Sequence, residues 1–350
     1  TRMGSNFGGF TSNTFTFDSK GQTYGVAMCP DTSGKAGIAA NLQFFSRATG
    51  SNSTSSSEDL NFNYLNVNNA RRIENICYYK DGVLKTDEER IQVPAMASYV
   101  ELNDTSKDSD DISYVYLAYY DHGLDQVKFR IGSVGSNAND IGLGLQDLNG
   151  LKTGIGGSQD SGKIGVACPV FDSTSKSYKG DDKTNGTAYQ NVRVISSGNE
   201  ASADVAVVAL NNGTAVVAYY TGKELKIQYA PFSSIDKNEA ANATWTTKTV
   251  SSKGGKNVAM VADAAGGLHF AYSSNSGADL YYTYMSSLTA TPVTMLVDSY
   301  DNVGSYCTID VGRTSESSQW IPYITYKRDA SEVALKMAYP VVNVSTEKPG

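Results

Sequence analysis

The two histidines are the first side chains to consider for chemistry. His122 and His269 lie far apart in the sequence, and the chain has no others. His269 lies inside the apolar run at residues 268–272, which indicates a structural role, whereas His122 follows Asp121 in a predicted hairpin turn and is expected to be exposed. No His-Glu-x-x-His sequence is present, and no group of cysteines and histidines has the spacing of a zinc site. We therefore expect no metal site and no cofactor, and we regard His122 as a candidate for contact with a ligand.

Other catalytic motifs are incomplete. Residues 157–164 resemble a phosphate-binding loop, but Ile164 replaces the Ser or Thr that would bind Mg²⁺, and a strand rather than a helix follows. No Gly-x-Ser-x-Gly sequence marks a nucleophilic serine. The acidic clusters at 108–111 and 181–182 lack the pattern of a calcium loop, which favours solvated loops. Glycosidase carboxylates come from separate strands and cannot be selected from one sequence. No catalytic residue is predicted.

Tyrosine is unusually abundant, with 23 residues. An aromatic face with a polar tip suits the recognition of a glycan or a protein. Neighbouring tyrosines on a strand point to opposite faces, so at most half of them can serve a ligand in the same way. The alternative is that they pack between sheets. Our candidates for ligand binding are Tyr120, Asp121, His122 and Tyr220.

Composition excludes several classes of function. The net charge is −7 over 350 residues, which argues against a nucleic-acid partner and against a polybasic membrane surface. No apolar run approaches the length of a membrane span. The four cysteines are too few for a disulfide scaffold and are expected to be buried thiols, although one disulfide is also compatible with the sequence.

The elements that must position these side chains recur along the chain. A small residue ends an apolar run about every 50 residues, a period typical of repeat folds, at Ala27, Cys77, Ala118, Ala167, Ala218, Ala271 and Thr325. Five of these seven residues precede a tyrosine. We call the strands that they end the reference strands.

The unit is clearest at residues 245–285. Four short strands, at 245–250, 257–263, 268–272 and 280–285, alternate with turns rich in Gly, Asn and Asp. This pattern predicts a four-stranded antiparallel meander in which the reference strand is second or third. No segment shows a convincing helical period. The sequence therefore predicts an all-β fold.

Repeats of this kind resemble the blades of β-propellers, in particular those of bacterial exported and cell-surface proteins. The resemblance covers nearly the whole chain, but the Trp-Asp dipeptide of WD40 blades and the Asp box of sialidases are absent. It implies a single propeller over residues 1–344, with seven blades (six or eight also fit), followed by a polar tail or linker at 345–350. Residues 257–263 would form an inner strand, and residues 341–344 would complete the last blade.

This resemblance and the tyrosines favour a non-catalytic binding module that recognises a glycan or a protein through loops on one propeller face. Its place would be extracellular, at the cell surface or periplasmic, within a protein that has further domains. One alternative is a glycoside hydrolase or lyase with acidic residues around a central depression; another is a purely structural domain of a larger surface protein. The loops at 46–60, 132–162 and 172–187 depart most from the repeat, so we expect local function there.

Overall fold

The computed structural model describes part of the chain, in segments separated by gaps: 13–17, 23–27, 40–47, 72–75, 77–80, 83–86, 91–102, 112–134, 170–172, 177–179, 192–235, 243–313, 319–329 and 333–340. Internal contacts divide the chain into two compact units. Unit 1 comprises Thr1–Gly222 and Lys226–Lys248, and unit 2 comprises Lys223–Leu225 and Thr249–Gly350.

Unit 1 begins with a four-stranded antiparallel sheet and a separate hairpin. The sheet has the order β1-β2-β3-β4, with strands at Asn13–Phe17, Thr23–Ala27, Ala40–Arg47 and Arg72–Asn75. The hairpin pairs β5 with β6, at Cys77–Lys80 and Val83–Thr86.

A second sheet takes its fourth strand from a distant part of the sequence. Its order is β12-β9-β8-β7, with β7, β8, β9 and β12 at Ile91–Glu101, Ile112–Asp121, Gln126–Val134 and Val192–Ser197. Between β9 and β12 in the sequence lies the hairpin of β10 and β11, at Val170–Asp172 and Ser177–Lys179. The two hairpins therefore stand outside the four-stranded sheets.

The third sheet has the order β13-β14-β15-β16, at Val205–Ala209, Ala215–Tyr220, Leu225–Ala230 and Thr246–Ser251. The boundary between the units passes through its last two strands. A 3₁₀ turn at Gly198–Glu200 and a one-turn helix, α1 at Phe232–Ile235, are the helical segments among the described residues. The prediction of an all-β class is confirmed.

The sequence of strand β14 is apolar because the strand is buried. All six of its residues are buried, as expected for a central strand that is covered on both faces. On β8, Tyr116 donates a hydrogen bond of 2.6 Å to the carbonyl of Gly213, in the turn before β14. Gly213 has φ +75°, and a Cβ there would lie 2.6 Å from the ring of Tyr99, so both conformation and space require glycine.

Unit 2 consists of two antiparallel sheets. The first has the order β17-β18-β19-β20, at Gly254–Ala262, Leu268–Ser274, Leu280–Met285 and Val293–Asp298. The second has the order β21-β22-β23, at Asn302–Gly312, Ile321–Asp329 and Ala334–Ala338. Both sheets contribute to one core, formed by Ala271, Leu280, Tyr282, Val303, Cys307, Ile324 and Tyr326. Cys307 is a buried free thiol.

The blade pattern is confirmed, but the count of seven blades is wrong. The described residues form four sheets of four strands, one of three strands and two two-stranded hairpins. The reference strands that end near Ala27, Ala118, Ala218, Ala271 and Thr325 are β2, β8, β14, β18 and β22, each second in its meander. At the sheet level the chain therefore resembles a β-propeller.

The overcount has a physical cause. A short apolar run that ends in a small residue marks a strand, but it does not fix how many partners that strand has. Cys77 opens β5, which pairs with β6 in a two-stranded hairpin. Ala167 lies outside the described residues, in the stretch between β9 and its partner β12.

Other predictions lie beyond what the structure describes or tests. Residues 341–344, and the loops at 46–60 and 132–162, fall on residues that are largely outside the described ranges, as does most of 172–187. The single domain over 1–344 with a tail or linker at 345–350 stays a prediction. No helix among the described residues is long and apolar enough to cross a bilayer.

Candidate functional site

The candidates Tyr120, Asp121 and His122 lie together in unit 1, where β8 ends. Tyr120 and Asp121 are buried, whereas His122 is exposed. Asp121 forms an ion pair of 2.6 Å with Lys128 and accepts a hydrogen bond from the backbone of Leu124, so its carboxylate is held by the hairpin itself. The rings of Tyr120 and His122 lie 6.1 Å apart.

Tyr220, the fourth candidate, ends β14 in another sheet and is buried. Burial raises the pKa of both Tyr120 and Tyr220, so both hydroxyls stay protonated at neutral pH. Ligand binding by these four residues stays a prediction.

A group that the sequence did not bring together lies in unit 2, around His269. Asp263 follows β17, and its Oδ1 accepts hydrogen bonds from the backbone N–H groups of Ala265 (2.8 Å) and Gly267 (2.9 Å). The side chain thereby closes the turn between β17 and β18. Such turns are typical of Asp, whose short side chain reaches backbone donors two residues on. The turn fixes the carboxylate, with its second oxygen directed at β18.

His269 connects this turn to the next strand. Its Nε2 lies 3.1 Å from Asp263 Oδ2, and its Nδ1 lies 2.7 Å from the hydroxyl of Tyr282. In the register of β18 and β19, His269 is opposite Tyr284 and Ala271 is opposite Tyr282. His269 and Tyr282 are therefore diagonal neighbours on one face of the sheet. We call Asp263, His269 and Tyr282 the triad.

Burial sets the protonation state of the triad. It lowers the pKa of His269 below 6.5, while the hydrogen bond and charge of Asp263 act in the opposite direction. The imidazole is therefore neutral at neutral pH, with the proton on Nε2 donated to Asp263. Burial, followed by the influence of Tyr284 and Asp263, raises the pKa of Tyr282 above its ordinary value of 10.0. Tyr282 thus keeps its proton and donates it to Nδ1 of His269.

A cavity of about 710 Å³ in unit 2 is lined by two members of the triad. We call it the Trp320 cavity. Its walls come from both sheets of the unit and are mainly aromatic and aliphatic: His269, Tyr282, Tyr284, Val293, Met295, Leu296, Val297, Gln319, Trp320, Pro322, Ile324, Ala338, Tyr339 and Pro340. This volume lies within the range of small-ligand sites.

The polar groups of the Trp320 cavity are few and of defined types. Gln319 supplies an amide, and Tyr284 and Tyr339 supply hydroxyls in addition to the triad. No carboxylate is among the described lining residues; Asp263 is buried and contacts His269. Arg313 places its Cζ 4.6 Å from the centroid of the Trp320 ring, which adds a cation next to one wall.

The arrangement is suited to proton transfer. If the oxygen of Tyr282 takes up a proton, its own proton can pass to His269, and the imidazolium so formed is paired with the carboxylate of Asp263. The reverse sequence delivers a proton. Within the described residues no group of three or more His, Cys, Asp or Glu side chains is placed to hold a metal ion.

The sequence predicts a separate role for each residue of the triad and no contact among them. His269 was interpreted as structural, Asp263 as the end of a strand and Tyr282 as one of many tyrosines. An ionisable residue in the apolar strand 268–272, six residues after a turn Asp, was the available signal. The register of β18 and β19 that joins His269 to Tyr282 was not available from the sequence.

Comparison with known proteins finds similarity in structure alone. No protein-family profile and no curated protein match the chain. An exo-β-1,3-galactanase from Clostridium thermocellum is 10% identical with a TM-score of 0.37, over 93% of this chain and 58% of that one. A polysaccharide lyase is 8% identical with a TM-score of 0.41, over 95% of this chain and 58% of that one. The chain thus spans little more than half of these two proteins.

A third similar structure is a GH43 β-xylosidase/α-arabinofuranosidase from a compost microbial metagenome. It is 11% identical with a TM-score of 0.34, over 98% of this chain and 96% of that one. These three structures, two glycoside hydrolases and a polysaccharide lyase, are of the kinds named as the alternative in the sequence analysis rather than non-catalytic modules. Similarity at such TM-scores says nothing about activity, which depends on the residues of the triad and the cavity.

Proposed function

We propose that unit 2 is a carbohydrate-active domain that binds a glycan in the Trp320 cavity and exchanges a proton with it through Tyr282. The observation that carries the proposal is the hydrogen bond from Tyr282, a cavity-lining residue, to His269, which is backed by buried Asp263. A hydroxyl with a protonatable partner behind it is a general acid–base group. The proposal includes an extracellular, cell-surface or periplasmic location, where a secreted carbohydrate-active domain would meet polysaccharides from outside the cell.

The walls of the cavity support a glycan as the ligand. The C–H faces of a sugar ring stack on aromatic side chains, and Trp320, Tyr284 and Tyr339 provide such faces. The hydroxyl groups of a sugar need donors and acceptors, which Gln319 and the tyrosine hydroxyls supply. A mainly apolar site with a few convergent polar groups is the usual form of a small-molecule pocket.

The chemistry is supported by the protonation state of the triad. Neutral His269 can accept a proton, because Nδ1 carries a lone pair that already faces the proton of Tyr282. Tyr282 stays protonated at neutral pH because burial raises its pKa. In this state Tyr282 takes a proton from the substrate only as it gives one to His269.

The test uses the purified full chain and a panel of neutral and acidic polysaccharides. Trp320→Ala is expected to weaken glycan binding about tenfold or more, because it removes the largest aromatic wall. Tyr282→Phe is expected to lower turnover by about 10²- to 10⁴-fold, the usual contribution of general acid–base catalysis, with affinity retained. Tyr281→Phe is the matched control, since Tyr281 is adjacent on β19 but stacks on Tyr272. Turnover by Tyr282→Phe at the wild-type rate would refute the role of the triad.

A non-catalytic glycan-binding module is the second candidate, and one observation favours it. Oδ1 of Asp263 closes the β17–β18 turn, so the triad also has a structural use that needs no substrate. If this candidate is correct, polysaccharides of the same panel bind in a way that depends on Trp320, but they are not cleaved and no new chain ends appear. Loss of stability in Tyr282→Phe, with no turnover by any variant, would support this second candidate over the first.

A further inference from the structure

One wall of the Trp320 cavity consists of aliphatic side chains that are exposed to solvent. Val293, Met295 and Leu296 lie on β20, the edge strand of its sheet, and they are 59%, 53% and 55% exposed. Single exposed apolar residues are ordinary, but a group of them at the wall of a cavity marks a surface that a ligand covers. We call these three residues the aliphatic wall.

The register of β19 and β20 joins the aliphatic wall to the triad. Met295 is directly opposite Tyr282, and Val293 is directly opposite Tyr284. Residues that are directly opposite point to the same face of a sheet, with Cβ atoms about 4.5–5.5 Å apart. A ligand group that covers Met295 therefore lies next to the side chain of Tyr282, so the aliphatic wall and the triad belong to one site.

The lining of the cavity indicates the chemistry of that ligand group. None of the described lining residues is Asp, Glu, Lys or Arg, and burial lowers the pKa of His269, which is neutral at neutral pH. A charge placed on the aliphatic wall would lose its hydration without gaining a partner there. Sugar hydroxyls would fare little better, because the only polar atom of the wall is the thioether sulfur of Met295, a weak acceptor. The group that covers the wall is therefore uncharged and apolar.

The cavity thus has two kinds of wall, one suited to a sugar and one that is not. We propose that its ligand is a neutral sugar that carries an uncharged apolar substituent, such as an acyl or aryl group, with the sugar ring on Trp320 and the substituent on the aliphatic wall. This inference rests on the proposed function and names the ligand class for the same site. An unsubstituted sugar would leave the wall in water or set hydroxyls against it, and both are unfavourable relative to an apolar group.

The binding test compares glycosides that differ only in the group on the anomeric oxygen. Methyl, butyl, phenyl and 2-carboxyethyl glycosides of galactose, glucose and xylose are titrated into the full chain. For at least one sugar, we expect the butyl and phenyl glycosides to bind at least about tenfold more tightly than the methyl glycoside, because they bury more apolar surface. This gain should not fall as salt rises, since no charge contributes to it. The 2-carboxyethyl glycoside is expected to bind no more tightly than the methyl glycoside.

Matched double substitutions test the aliphatic wall itself. Val293→Thr/Met295→Gln keeps the side chains close to their original size but makes them polar, and it is expected to reduce the difference between the phenyl and methyl glycosides to less than about twofold. Val333→Thr/Met337→Gln is the control, because it makes the same changes at side chains of unit 2 that are 66% and 61% exposed and do not line the cavity. Substitutions at such exposed positions are expected to leave both variants folded, which thermal unfolding verifies.

The outcomes that overturn the inference can be told apart from failure of the proposed function. Equal affinity for the methyl, butyl and phenyl glycosides, or a full phenyl gain in Val293→Thr/Met295→Gln, refutes the apolar substituent while the glycan site stands. Tighter binding of the 2-carboxyethyl than of the butyl glycoside shows that the site recognises an anion and refutes an uncharged ligand. If a polysaccharide of the panel binds but no glycoside does, this inference alone fails. If neither binds, the proposed function fails with it.

Discussion

The Nδ1 atom of His269 lies 2.7 Å from the hydroxyl oxygen of Tyr282, and this hydrogen bond has a defined direction. The other ring nitrogen, Nε2, faces a carboxylate oxygen of Asp263, which can only accept. Nε2 must therefore carry the proton of the neutral imidazole, and Nδ1 must accept from Tyr282. A buried carboxylate thus determines, through the imidazole, where the tyrosine proton points. The direction of the bond follows from Asp263 and not from Tyr282.

Asp263→Asn tests this direction while keeping the shape of the side chain. If the new amide group faces His269, either two donors meet or the imidazole moves its proton to Nδ1, and the Tyr282 proton then loses its acceptor on His269. If the amide is turned around, the N–H groups of Ala265 and Gly267 lose their acceptor. Either orientation leaves buried polar groups unsatisfied, so we expect a loss of about 1–3 kcal/mol in the free energy of unfolding. Chemical denaturation measures it.

The control for this substitution is Asp279→Asn, which makes the same change of charge in the turn before β19. Asp279 is only half-buried, so its substitution is expected to change the free energy of unfolding by less than about 0.5 kcal/mol. An equal effect of the two substitutions would show that the contacts of Asp263 are not special.

The protonation of His269 gives a second prediction. Burial holds its pKa in the folded state below 6.5, the value for an exposed imidazole. As pH falls below about 6.5 the unfolded chain takes up a proton that the folded chain does not, so stability is lost in that direction. The loss is at most about 1.4 kcal/mol per pH unit for one proton.

The chain has only two histidines, so the titration of His269 can be measured separately once the other is replaced. In His122→Gln only His269 remains, so one imidazole signal in the NMR spectrum reports its titration in the folded chain. We expect a midpoint below 6.5. A midpoint at or above 6.5 would mean that the hydrogen bond and charge of Asp263 balance or outweigh burial.

The strands were easier to predict than the number of sheets. Runs such as Ala215–Tyr220 and Leu268–Ser274 are apolar, bounded by turn residues and near a small residue, and each is a second strand. These are local properties that a sequence displays. Partner choice is not local: β9 pairs with β12 across residues 135–191, so the repeat count taken from spacing alone was wrong.

The site shows the same division between local and non-local information. Asp263 closes a turn because of interactions within five residues, and an Asp at the end of a strand predicts such a turn. The contact between His269 and Tyr282 depends on the cross-strand register, which sets the face to which each side chain points. The sequence therefore supplied the residue types, and the register supplied their combination.

Gly254→Ala is predicted to destabilise unit 2. A Cβ at residue 254 would lie 2.2 Å from the carbonyl oxygen of Ser273 and 2.6 Å from the Cα of Ser274, and both atoms belong to the backbone of β18. Backbone cannot move aside as a side chain can, so we expect a loss of about 2–3 kcal/mol. Thermal unfolding measures it. Gly312→Ala, on β21, is the control: its Cβ would meet only the Tyr323 ring, at 3.4 Å, and stability should change by less than about 1 kcal/mol.

The carboxylate of Asp298 connects the two sheets of unit 2, and it gives the last prediction. It ends β20 and accepts hydrogen bonds from Tyr326 (2.7 Å), from the backbone of Tyr300 (3.0 Å) and from Lys336. Burial opposes its charge, but these donors outweigh burial and lower its pKa below 3.8.

Tyr326→Phe is expected to lower the free energy of unfolding by about 1–2 kcal/mol, because it removes a hydrogen bond to a charged group that is largely buried. The cost should be full above pH 3.8 and diminish as pH falls through the lowered pKa, because protonation ends the charge assistance of that bond. Tyr323→Phe, an exposed tyrosine on the same strand, is the control. A cost that is independent of pH would show that Tyr326 acts through packing and not through the charge of Asp298.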